Sequence, residues 1–127
     1  MSVPSDQRAL QASQAGLRLI AMLTFYNNAR FDRLRVYLRE HFSAAALEEQ
    51  PAAARLAQFK VLAAQHGRLR VRQVAAADKH RAVALLESQQ GGLLLADMAC
   101  EDEYPHRVSA FDLVPVPEEA PDDPADG

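Results

Sequence analysis

The hydrophobic period of this chain changes once, at Gly67, and that change constrains the fold more than any other feature. Before it, apolar residues recur at three- and four-residue steps, the spacing that lines one face of an α-helix. After it, Leu69 and Val71 alternate with Arg70 and Arg72, the period of a half-buried strand. Helices first and short, tightly connected strands afterwards predict an α+β domain with an antiparallel sheet.

In the first half, Ser5 or Asp6 suits the cap of a helix whose apolar stripe takes in Leu17, Ile20, Leu23 and Thr24, ending at Asn27-Asn28. Gly16 within it costs about 1 kcal/mol relative to alanine and so marks a close packing contact. A second helix sets Phe31, Leu34, Leu38 and Phe42 on one stripe, with Arg33, Arg35, Arg39 and Glu40 facing away. Ser43 caps a short turn carrying Leu47. Pro51 opens a third helix with Leu56, Phe59 and Ala63 inside, and Gly67 ends it. Strands then start at Leu69, near His80, at Leu93 and near Arg107, with turns at Gly91-Gly92 and Tyr104-Pro105.

The expected architecture is therefore three N-terminal helices packed on a curved four-stranded antiparallel sheet. Such a fold is cone-like, with an apolar interior open at one end to a small molecule. Residues 1–116 make up this one domain, and residues 117–127, dominated by proline, acid and alanine, form an expected disordered tail. Ala82, Ala84, Met98 and Cys100 are poor solvating residues for the uncovered sheet face, which leads to the expectation of a symmetric homodimer.

Charge narrows the partners. The chain has 14 basic and 17 acidic residues, and five of the acids fall after Pro117. What remains is nearly neutral, without the field that nucleic-acid binding requires. The run Arg68, Arg70, Arg72 reads as one solvated strand face. No apolar run reaches the roughly 18 residues of a membrane span, and Met1 to Gln14 has no targeting pattern, so a cytoplasmic location is expected, for this chain or for a longer one containing it.

Reactive constellations are sparse. The sequence contains neither Gly-x-Ser-x-Gly nor Ser-x-x-Lys, and its five glycines make no phosphate-cradling motif. Cys100 stands beside Glu101, which raises a thiol pKa. His41, His66, His80 and His106 are scattered, so neither a metal site nor a cofactor is expected.

Two stretches, HFSAAALEEQPAAARLAQFKVLAAQHGRLRV from His41 to Val71 and LLLADMACEDEYPHRVSAFDLVPVP from Leu93 to Pro117, carry a resemblance. They are similar to the small domain found in front of bacterial β-lactamase-type serine hydrolases and some tail-specific peptidases. The most specific piece is Pro105-His106-Arg107-Val108. That domain resembles the nuclear-transport-factor-2-like, or ketosteroid-isomerase-like, superfamily of α+β cones. The resemblance implies the same fold and a hydrolase-type partner or neighbouring domain. It brings no agreed catalytic residues.

In isomerase-like members of that superfamily a carboxylate in the cavity acts as base and a phenol or protonated acid stabilises an oxyanion, because burial lifts carboxylate pKa values toward neutrality. The candidates here are Asp97, in the third strand, and Tyr26, near the end of the first helix, with Asp112 a lesser one. The competing reading puts Asp97 on the solvent side of the sheet or in an ion pair with an arginine such as Arg81. His106 and Arg107 are candidates for pinning a ligand at the cone mouth; otherwise they shape the turn after Pro105. The function expected is a non-catalytic accessory or binding module that self-associates. The alternative is a small isomerase-like or hydratase-like enzyme acting on an apolar ligand.

Overall fold

The computed structural model describes residues 8–117. Ser5, Asp6 and the expected tail beyond Pro117 lie outside the described residues. The elements are α1 (residues 8–11), α2 (Gln14–Asn27), α3 (Phe31–His41), α4 (Ala44–Glu49), α5 (Ala52–His66), β1 (Leu69–Ala77), β2 (Arg81–Ser88), β3 (Leu93–Cys100) and β4 (Val108–Pro115). The fold is α+β with one antiparallel sheet in the order β1-β2-β3-β4, open rather than closed, so β1 and β4 are its edges.

Five helical segments replace the three expected, and two serines are the reason. The Ser13 hydroxyl accepts from the Gly16 amide at 2.7 Å and starts α2 afresh. The Ser43 hydroxyl accepts from the Ala46 amide at 3.1 Å, and the short turn it was expected to cap is the helix α4. Each satisfies an amide that a helix start leaves orphaned. Gly16 is indeed a close contact: a Cβ there would collide with the Leu10 backbone, which α1 lays against it.

The stripe of α2 is also rephased. Ala15, Leu19, Met22, Leu23 and Tyr26 are buried, while Leu17 is 47% exposed. This helix is apolar nearly all round, so spacing alone selects its inner face poorly. In α3 and α5 most of the expected core holds: Leu34, Leu38, Leu56 and Phe59 are buried, as is Phe42 just past the end of α3, while Phe31 and Ala63 are half-buried.

Helix α2 packs against β1, β2 and β3. Ala82, Ala84 and Ala96, all fully buried, form the floor beneath it, with Leu86, Leu94 and Met98. These small side chains let the helix approach the sheet closely. Ala82, Ala84, Met98 and Cys100 thus sit on the covered face, not the open one as expected, because alternation fixes which residues share a face but not which face is covered. The open face carries Val83, Leu85, Leu95 and Val114 instead.

Three bulges bend the edges. Arg72 and Ala75 are extra residues in β1, and Ser109 is extra in β4. The Arg68-Arg70-Arg72 alternation is therefore broken at Arg72. Gly67, with φ 71° and ψ −148°, reaches a conformation open essentially to glycine and turns α5 into β1. The Asn27 side chain secures that junction, donating to the Leu69 carbonyl at 2.7 Å and accepting from its amide at 2.8 Å.

Candidate ligand-binding cleft

In α5, Arg55, Phe59 and Leu62 follow at four- and three-residue steps and so share one helix face. That face looks toward β4, where Phe111 and Leu113 lie on the helix-covered side of the sheet, with Asp112 between them. Together they line a cleft of ≈ 230 Å³. The rings of Phe59 and Phe111 stack with centroids 6.0 Å apart and planes at 20°. The cleft is below the roughly 300–1,000 Å³ of drug-sized sites, which suits a small ligand.

Arg55 is the polar anchor of this cleft and is only 7% exposed. Its Nε donates to the Gln50 carbonyl and one Nη2 hydrogen to the Ala46 carbonyl, both at 2.8 Å; Ala46 also accepts from the Gln50 amide, so Arg55 adds a second bond there and ties down the end of α4. The guanidinium also lies over the Phe42 ring, 4.8 Å from its centroid. Burial lowers the Arg55 pKa, opposed by the charges of Glu49 and Asp112, yet a guanidinium remains protonated at physiological pH. Among the described residues Nη1 has no hydrogen-bond partner, and it is not sealed from solvent.

A wider groove of ≈ 520 Å³ runs beside Asn27 and the β2–β3 hairpin. Two of its charged wall residues, Arg70 and Glu87, already pair with each other at 2.9 Å, and the third, Arg68, is exposed. The α5–β4 cleft joins stacked aromatic rings and amide side chains to a buried guanidinium with one nitrogen still free.

The residues singled out from sequence lie elsewhere. Asp97 is on the open sheet face, gripped by Arg81 at 3.0 Å from Nε and 2.7 Å from Nη2. The Arg81 hydrogen bonds hold its carboxyl below the usual range, the opposite of a carboxylate lifted toward neutrality by burial. Tyr26 is 3% exposed and donates its hydroxyl to the Gly67 carbonyl at 2.7 Å; burial pushes its pKa up to about 12. Asp97 and Tyr26 are thus on opposite sides of the sheet, and neither lines the cleft.

His106 has φ 60° in the turn after Pro105. Its amide donates to the Glu103 carbonyl at 2.7 Å, and its Nδ1 lies 3.1 Å from the Glu101 carbonyl. Arg107 makes no ion pair among the described residues, and its carbonyl accepts from the Glu101 amide at 2.8 Å. Asp112, the lesser sequence candidate, borders the cleft on β4, but its pairing with Asp97 puts its side chain on the open face of the sheet. Cys100 is buried, and burial raises its thiol pKa.

One polar cluster was not anticipated. Arg18 on α2 reaches His41 Nδ1 at 2.7 Å and donates to the Pro105 carbonyl at 2.8 Å, clamping α3 and the β3–β4 turn to α2. Tyr37 packs on the His41 ring, centroids 4.2 Å apart. Among the described residues, no three or more His, Cys, Asp or Glu side chains converge as metal ligands, and no helix is long and apolar enough to cross a membrane. Comparison with protein-family models, with curated proteins and with solved structures finds no match to this chain.

Proposed function

We infer that this chain is a non-catalytic binding module, with the α5–β4 cleft as its ligand site. The observation that carries the reading is Arg55: a buried guanidinium, fixed by two carbonyls, with one nitrogen left free toward a cleft walled by Phe59, Leu62, Phe111 and Leu113 together with Gln50 and Gln58. Binding needs an anchor and a wall, and both are present. Proton-transfer catalysis would need a poised base within reach of the ligand. The two groups suited to it, Asp97 and Tyr26, are spent on Arg81 and on the Gly67 carbonyl.

Self-association belongs to the same proposal. Val83, Leu85, Leu95 and Val114 give the open sheet face an apolar stripe, with Leu95 40% and Val114 55% exposed, and a two-fold pairing of two copies would cover it. The cone-like shape is supported by the helices-then-sheet order and by the bulges that bend β1 and β4. The resemblance to domains that precede serine hydrolases supports a role beside a hydrolase-type partner.

The test is an esterase, amidase and isomerase screen on the purified chain, with and without divalent metals. The binding-module reading expects no turnover attributable to the protein. Turnover that disappears in Asp97→Asn, while the fold survives, would replace it with the isomerase-like alternative.

A further inference from the structure

Arg55 is a buried cation with no carboxylate in ion-pair range among the described residues, although a buried charge costs free energy unless it is paired. Its fork of five N–H hydrogens is only partly used. The Gln50 and Ala46 carbonyls take the Nε hydrogen and one on Nη2. Among the described residues the second Nη2 hydrogen and both on Nη1 have no partner, and Nη1 is not sealed from solvent. These make up the end of the fork, at a cleft that Arg55 itself lines. We propose that the cleft binds a small apolar monocarboxylate, its carboxylate on the free end of Arg55 and its hydrocarbon body against Phe59, Leu62, Phe111 and Leu113. This rests on the binding-module reading above and names the ligand class for the same site.

Shape, field and wall select that class. Two parallel N–H bonds from a guanidinium match the two oxygens of a carboxylate. This guanidinium is already held by two carbonyls and the Phe42 ring, so little further ordering is required when a ligand arrives. Glu49 and Asp112 put a negative field on Arg55, Asp112 acting from the open side of the sheet, where its pairing with Asp97 turns its carboxylate. That field opposes a dianion such as phosphate more than a single negative charge. Leu62, Phe111 and Leu113 are half-buried, so they keep apolar surface whose covering by a ligand is favourable. The cleft volume of ≈ 230 Å³ limits the hydrocarbon body to a single ring or a branched chain, far smaller than a peptide segment.

The experiment is an NMR titration of the whole chain with phenylpropionate and isocaproate, reading the backbone amides and the Arg55 Nε–H signal. Phenylpropionamide serves as the neutral probe of nearly the same shape, and inorganic phosphate as the anion without a hydrocarbon body. The proposal expects saturable shifts at Arg55, Phe59, Leu62, Phe111 and Leu113 with the two acids, and at least about tenfold weaker binding of the amide and of phosphate. Gln58→Glu sets a like charge at an exposed position lining the cleft, so it should weaken both acids severalfold and leave the amide unchanged. Equal binding of phenylpropionamide or of phosphate at these residues, or indifference of the acids to Gln58→Glu, overturns the monocarboxylate assignment. If the acids give nothing while the amide saturates the same residues, the assignment fails and the binding-module reading stands. If no probe saturates any cleft residue, both fail.

Discussion

Replacing Tyr26 with phenylalanine tests whether its hydroxyl is a structural tie or a chemical group. The substitution keeps the ring against Phe31 and Phe59, with centroids 6.5 and 6.1 Å away, and deletes only the 2.7 Å bond to the Gly67 carbonyl. A neutral hydrogen bond contributes about 1 kcal/mol net, and an orphaned buried acceptor costs about 1–3 kcal/mol. Gly67 is half-buried, so water can partly replace the lost donor, and the lower part of that range applies. Removing a hydroxyl that folding had to desolvate offsets a little more. The expected loss is about 1–2 kcal/mol, roughly 3–8 °C in Tm for a domain of this size. Urea unfolding measures it directly: the midpoint should fall with the slope unchanged. A loss below about 0.3 kcal/mol would show that the tie between α2 and the α5–β1 junction contributes nothing and would refute the structural assignment.

Phe59→Ala should cost about 3–5 kcal/mol, since it empties a buried site between Tyr26 and Phe111; less than about 1 kcal/mol in chemical denaturation would mean α5 docks differently. Gly16→Ala should destabilise despite alanine's better helix propensity, because its Cβ meets the Leu10 backbone; a raised Tm would contradict that contact. Stability should fall as pH drops below about 6.5. Burial first, and the Arg18 charge next, lower the His41 pKa from its ordinary 6.5, so the unfolded chain takes up that proton more readily than the folded one. His41→Gln should flatten that part of the pH–stability curve, and an unchanged slope would rule His41 out as its source.

The sheet was the more legible half of the fold, because period-two alternation and glycine or proline punctuation are local signals. Leu93–Cys100 stands where the sequence placed it, and the other strands start within a residue of expectation. The bulges at Arg72, Ala75 and Ser109 have no such signal, since they arise from pairing with a partner strand. For the same reason parity grouped Ala82, Ala84, Met98 and Cys100 correctly but could not say that α2 would cover them. The helices were legible where one face is polar, as in α3, and misphased where it is not, as in α2. Of the cleft, Phe59 was read as core and Asp112 only as a lesser candidate. Arg55 was missed, although an arginine at four- and seven-residue steps from Phe59 and Leu62 was a signal that a charge shares the inner face. The Arg18–His41–Pro105 clamp joins residues far apart in sequence, and no local pattern announces it.

The central claim, that this domain binds small molecules between α5 and β4, is tested most directly by mapping where they bind. Amide and methyl NMR spectra of the whole chain would be recorded with a mixture of small apolar acids, amines and amino acids. The account predicts saturable shifts confined to Arg55, Phe59, Leu62 and residues 111–113. Shifts that gather instead around Asp97 on the open face, or that appear at no cleft residue for any compound, would contradict it.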